Sequence, residues 1–291
     1  MLTKVSTLLL LAPVFAYAQL PLSIEELLVD QDVLKLETSF SYATSTQTVQ
    51  HLELVSIEQS GEQFPAAITR VAQRDNDASQ IIAGLRYGVG PRTELNIRAG
   101  YTYFTGTEPP VNGLVSAFDD SSDLQTLTLG ASWLASPENN TPALLLSMSL
   151  DAVENGSGGD TENLYAKTGR VGITAYTSLD PVVLSIAIGY ELSSPRDLGQ
   201  QTLNPGDEFY VFPQLNFAVN HKVTLIGGIG LRSRQGDEID GRRVTSRKTS
   251  TQALVGMGFA PATGTTVFIQ SRYTTGGSRS ANISLDWLYQ F

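Results

Sequence analysis

The chain has 291 residues and a formal charge of −10, and although 41% of it is apolar only 16% is charged, well below the roughly 25% usual in soluble domains. There is no cysteine, which excludes disulfide frameworks, thiolate metal centres and cysteine nucleophiles. The acidic balance argues against nucleic acid as a partner, because phosphate backbones bind basic surfaces.

The N-terminus, "MLTKVSTLLLLAPVFAYAQ", has one early charge at Lys4, an apolar core from Val5 to Phe15 and small residues at Ala16 and Ala18. This is the layout of a secretory signal over residues 1–18, cleaved before Gln19. The apolar run is too short for a membrane-spanning helix, which needs about 20 residues. Residues 19–32 then read as a periplasmic N-terminal segment. Ser23 with Glu26 fits a capping box and Leu22 with Leu27 a hydrophobic staple, so a short helix is predicted over Ile24 to Val29.

From residue 33 to 291 the apolar period is two. Twelve segments have about the 9 to 11 residues that a tilted strand needs to cross hydrocarbon. The first, Val33 to Thr44, sends Leu34, Leu36, Phe40 and Tyr42 one way and Lys35, Glu37, Ser39 and Ser41 the other. The second, Ser79 to Val89, and the third, Thr93 to Phe104, share the turn "GVGPRT", and the third has the cleanest alternation in the chain. Next come Leu124 to Ala135, Ala143 to Val153, Thr168 to Leu179 and Val182 to Leu192. Glu208 to Val219 contains Pro213, which denies the ladder one donor. Val223 to Arg232, Thr251 to Ala260, Thr265 to Thr274 and Ala281 to Phe291 complete the set. In the last, Ala281, Ile283, Leu285, Trp287, Tyr289 and Phe291 share one face, and Leu288 alone breaks the pattern.

Connections after even-numbered segments are short, and those after odd-numbered ones are long and rich in Asp, Glu, Gly and Ser, except for a short final one. An even strand count with short turns at one rim and long loops at the other is the plan of an outer-membrane barrel. The predicted fold is therefore all-β, a 12-stranded antiparallel transmembrane β-barrel over 33–291 with a short N-terminal helix. Lipid covers its apolar face, and the long loops face outside. Tyr42, Tyr103, Trp133, Tyr190, Trp287 and Tyr289 fall near strand ends, where aromatic girdles sit.

The opposite face is the predicted lumen. It carries Lys35, Arg86, Arg98, Arg170, Arg232 and Arg272 with Glu37, Glu94, Asp151, Glu191 and Asp286. An outward Lys or Arg at mid-depth would cost about 2–4 kcal/mol, and none occurs in that register. The arginines either set the field of an open conduit or pair with the acids and plug a closed barrel. Glycines such as Gly84, Gly100, Gly130, Gly172, Gly189, Gly228 and Gly230 share this face, as a crowded interior requires.

Catalytic chemistry finds little support. His51 lies in the first long loop and His221 in the short "NHK" turn. On this topology they stand at opposite rims, so neither assists the other in a metal site or a hydrolase triad. "KTG" at Lys167 to Gly169 lacks a Ser-x-x-Lys partner, and the acidic stretches Glu154 to Asn163 and Asp237 to Gly241 lack calcium-loop spacing. No enzyme activity, metal or cofactor is expected.

The stretch "LRYGVGPRTELNIRAGYTY", Leu85 to Tyr103, with "LETSFSYATS" before it, resembles the outer-membrane barrels grouped under the phenol-degradation meta-pathway protein. Arg86, Tyr87, Gly88, Glu94 and Leu95 carry the likeness. The resemblance implies a transporter. Trp287, Tyr289 and above all the terminal Phe291 resemble the C-terminal signal by which the outer-membrane assembly machinery inserts such barrels. The expected function is an outer-membrane channel or transporter for small hydrophobic or aromatic solutes. The alternative is a closed barrel acting through its acidic extracellular loops as a binding or protein-export and assembly component.

Overall fold

The computed structural model describes residue 22 and residues 27–59, 62–107, 119–156, 163–197, 201–276 and 279–291. Both the predicted signal and residues 23–26, which hold the first half of the predicted helix, lie outside the described residues, and Leu27 to Val29 at its predicted end are not helical. Twelve long antiparallel strands form the barrel. They are β1 (Leu34–Gln59), β2 (Glu62–Gly90), β3 (Thr93–Thr107), β4 (Asp119–Ser136), β5 (Ala143–Gly156), β6 (Thr168–Leu179), β7 (Val182–Ser193), β8 (Glu208–Asn220), β9 (Val223–Arg234), β10 (Lys248–Ala262), β11 (Thr265–Thr275) and β12 (Arg279–Gln290). Each pairs with its neighbours in the chain, and β12 closes on β1 from Lys35↔Gln290 to Thr46↔Arg279. Closure removes the exposed edges that an open sheet would leave.

The alternation decides which side chain goes where. On β3, for example, Leu95, Ile97, Tyr101 and Tyr103 are exposed on the outer wall while Glu94 and Thr102 are buried inside. Tyr42 and Tyr103 stand at one end of the outer wall, and Trp133, Trp287 and Tyr289 stand exposed at the other. Tyr190 also leans outward, its hydroxyl donating to Asp207 at 3.0 Å.

One predicted loop is strand. β1 and β2 continue for 26 and 29 residues and pair with each other out to Gln59↔Glu62. Beyond Thr46 and Asp75 they have no other barrel neighbour among the described residues, so the hairpin projects past the rim. Val49, Val55, Ile57, Ile68, Thr69 and Val71 supply β-branched residues that favour extended backbone without the strict alternation a lipid-facing strand needs. The loops following β7 and β9 also pair. Short strands Arg196–Asp197, Thr202–Asn204, Glu238–Ile239 and Arg242–Arg243 make a small four-stranded sheet at the long-loop rim. Its outer hairpin turns at Asp240 and Gly241, with φ of 50° and 74°, the pair of positive values that a tight two-residue turn demands.

At the short-turn rim, Glu138 fastens the β4–β5 turn to β6. It accepts hydrogen bonds from the Ser178 N–H at 2.5 Å, from Ser178 Oγ at 2.7 Å and from Thr177 Oγ1 at 3.1 Å. Desolvation raises its pKa, but those donors outweigh it and hold the carboxyl below its ordinary value of 4.5. A carboxyl lowered by folding stabilises above its unfolded pKa and loses that contribution as pH falls through the folded value. The stability advantage of the wild type over Glu138→Gln, read as the midpoint of heat-modifiable mobility, is therefore expected to shrink as pH drops below 4.5.

Candidate functional site

The inward residues create a lumen that is polar on one side and partly apolar on the other. On β2 and β3, Arg86 and Glu94 form a bidentate pair, with Nε to Oε1 at 2.9 Å and Nη2 to Oε2 at 2.8 Å. Both are almost fully buried. The pair has a further task. Glu94 Oε2 accepts the Val29 N–H at 2.9 Å, and Arg86 Nη2 donates to the Leu27 carbonyl at 3.3 Å.

Those bonds hold the N-terminal segment inside the short-turn mouth. Val29 is only 1% exposed. Asp32 N–H donates to the Gly88 carbonyl and Gly88 N–H to the Val33 carbonyl, at 2.8 and 3.1 Å. A Cβ at Gly88 would overlap the carbonyl of Asp30, so the absence of a side chain there is what lets the segment lie against β2. Leu22 enters on the far side, its N–H donating to Thr224 Oγ1 at 3.0 Å and its side chain joining a cluster of Ile226, Leu254, Phe268 and Leu288. The one residue that breaks the alternation of the final strand thus faces inward to meet Leu22.

The other charges line the wall. Arg98 reaches over β2 to Glu37 at 3.0 Å. Arg170 binds Asp151 with two nitrogens and Glu191 with a third, at 2.8–2.9 Å. Arg232 pairs with Glu208 at 2.9 Å, a partner that the sequence reading missed. Asp286 accepts from Ser39 and Ser284, and Lys35 is buried in register with Arg86 and Gln290. In strand register these charged residues alternate with the exposed apolar positions of the outer wall. The ion pairs run along the wall between strands at most two apart rather than across the lumen: Arg170 and Glu191 face each other in register, while Arg86 and Glu94, and Arg232 and Glu208, are offset by two residues on adjacent strands.

Two inward aromatics, Tyr210 and Phe212 on β8, were also missed. Their rings lie flat over glycines of the flanking strands: a Cβ at Gly189 would overlap the Tyr210 ring, and one at Gly228 or Gly230 would overlap that of Phe212. The lumen glycines make room for aromatic faces, a pairing known to offset the weakness of glycine in strands. The Arg232 guanidinium lies 6.0 Å from the Tyr210 ring centre and that of Arg272 lies 5.9 Å from Phe212, at the limit of cation–π attraction. Among the described residues Arg272 Nε has no hydrogen-bond partner.

The interior also keeps space. A cavity of about 350 Å³ is bounded by Leu27, Arg86, Arg98, Ser149, Arg170 and Tyr210, and one of about 250 Å³ by Ser39, Gln80, Gln270, Arg272 and Asp286. Outside the wall, Trp133, Met148, Val171, Ile173, Ile188 and Phe209 surround an apolar groove of about 600 Å³. The groove and the larger lumen cavity share Ser132, Ser147, Met148, Val171 and Gly172, so a single layer of wall residues separates them. His51 is paired opposite Arg70 in the projecting hairpin, and His221 is in the β8–β9 turn, at opposite ends of the barrel as predicted.

Residues 85–281 match the family named for a MetA pathway of phenol degradation. The chain belongs to that family. No curated protein matches the sequence. Among solved structures, an outer-membrane channel from Pseudomonas putida F1 is 13% identical, with a TM-score of 0.63 over 90% of this chain and 97% of that one. The translocator domain of autotransporter NalP from Neisseria meningitidis is 12% identical, with a TM-score of 0.55 over 89% and 88%. The transport unit of autotransporter AIDA-I from Escherichia coli is 13% identical, with a TM-score of 0.52 over 91% and 94%. These likenesses are of fold. This member of the phenol-degradation family shares the fold of outer-membrane β-barrels.

Proposed function

We propose that the protein is an outer-membrane channel for small hydrophobic or aromatic solutes, held closed at its periplasmic mouth by its own N-terminal segment. The observation that carries this reading is the pair of inward aromatics on β8: Tyr210 lines the larger lumen cavity and Phe212 packs beside the Leu22 cluster, with Arg232 and Arg272 at 6.0 and 5.9 Å from their ring centres. Flat aromatic walls favour planar apolar solutes by offset stacking. Membership in a family named for phenol degradation and the channel described for Pseudomonas putida F1 support it. Most of the wall arginines are paired with wall carboxylates, which weakens the field inside and suits uncharged cargo better than ions.

The test is flux into liposomes. Purified protein is expected to admit a neutral monoaromatic compound faster than a sugar of equal size, and Tyr210→Ala with Phe212→Ala is expected to remove that preference. No aromatic flux above empty liposomes would overturn the reading.

Trp287, Tyr289 and Phe291 serve in this reading as the insertion signal. Phe291 donates its N–H to the Leu34 carbonyl at 3.1 Å and sets its ring edge-on against Tyr289 at 5.1 Å, so it completes the seam between β12 and β1. Deleting it is expected to reduce heat-modifiable protein in outer-membrane fractions severalfold. Unchanged amounts would leave the residue without that role.

A further inference from the structure

Basic residues are concentrated at one sector of the long-loop rim. The connection from β9 to β10 contains "GRRVTSRK", in which Arg242, Arg243, Arg247 and Lys248 are all exposed. The acids of the same loop are occupied at this rim. Asp237 takes hydrogen bonds from Gly206, Thr245 and Arg234, and Asp240 accepts the Thr202 N–H. Glu238 approaches Arg243 only to 3.7 Å. Among the described residues no carboxylate pairs with Arg242, Arg247 or Lys248. Across the barrel, β2 and β4 carry Asp75, Asp77 and Asp123 at the same rim, so the basic charge is local and not a property of the whole mouth.

The patch also faces sideways. Arg247 Nε donates to Ser233 Oγ at 2.8 Å. Ser233 has the outward parity of Leu231 and Ile229, which are exposed on the lipid-facing wall, and it lies in register with Thr249. The Arg247 guanidinium is thereby fixed on the outer wall, directly above the apolar band. Arg279, exposed at the start of β12, has the outward parity of Ile283 and Leu285 and continues this level. In an outer membrane the groups at this height in the outer leaflet are the phosphates of lipopolysaccharide, and guanidinium forks match phosphate oxygens bidentately.

We propose that the Arg242, Arg243, Arg247 and Lys248 patch binds the phosphates of lipopolysaccharide, seating one sector of the rim in the outer leaflet. Exposed charge pairs weaken with salt, so binding is salt-sensitive.

The experiment titrates the detergent-solubilised full chain with bisphosphorylated lipid A, with dephosphorylated lipid A and with phosphatidylglycerol, counting bound lipid by native mass spectrometry. Combining Arg242→Ala, Arg243→Ala, Arg247→Ala and Lys248→Ala is expected to weaken bisphosphorylated lipid A by about tenfold or more. The heat-modifiable shift should stay intact, since all four side chains are exposed. Arg92→Ala with Lys222→Ala, at the short-turn rim, removes basic charge elsewhere and is expected to change nothing. Equal binding by the fourfold variant and the wild type overturns the proposal. So does equal binding of the dephosphorylated lipid, or an equal loss for phosphatidylglycerol, which would make the patch a general anionic surface.

Discussion

Replacing Gly88 by valine is expected to raise single-channel conductance severalfold while leaving the barrel folded. The new Cβ would overlap backbone atoms of Val29 and Asp30, and backbone cannot rotate away as a side chain can. The segment must leave the wall, giving up the hydrogen bonds between Gly88 and both Asp32 and Val33. The Gly88–Val33 bond is the last step of the β1–β2 ladder, and the pairs from Leu34↔Tyr87 onward lie beyond the clash and need not move. Deleting residues 22–31 should produce the same conductance by a different route. If both proteins conduct as the wild type does, the segment is no gate.

The second large effect is expected at Glu94. Its carboxylate neutralises Arg86 and accepts the Val29 N–H in a nearly water-free site. Removing one partner of a buried pair typically costs about 3–5 kcal/mol, whereas replacing both by apolar residues is often neutral. Glu94→Ala is therefore expected to lower stability markedly in urea titrations followed by heat-modifiable mobility. Arg86→Met combined with Glu94→Met should recover most of that loss. The double variant should still conduct more than the wild type, because it cannot bind Leu27 and Val29. A double variant as unstable as the single one would show that the pair matters for something other than charge balance.

The strands were legible because lipid on one side and a polar interior on the other impose a strict period of two. Thr168 to Leu179 was bounded as observed, and Glu208 to Val219 missed the observed end by one residue. The inward register followed from the same constraint, since a one-residue slip would have put Arg98 or Arg170 into hydrocarbon. The projecting hairpin was not legible, because strands in water, paired only with each other, have no reason to alternate. Nor was the position of the N-terminal segment, whose partners lie on β2, β3 and β9–β12. Yet traces of it were present. Ile226, Leu254, Phe268 and Leu288 are apolar residues in inward register, and such violations of a polar interior mark where something apolar is enclosed. Tyr210 and Phe212 were hidden for a related reason: the glycines they cover on β7 and β9 are close in space but distant in sequence.

The seat of Leu22 also bears on the order of events during biogenesis. That seat consists of residues from β9, β10, β11 and β12, the last strands to emerge, so the beginning of the chain has nowhere to lodge until its end is in place. Every partly assembled barrel is accordingly an unstoppered one, and the permeability barrier of the membrane is protected only when closure and stoppering coincide. Truncations ending before β9 are then expected to be toxic through leakage rather than merely inactive.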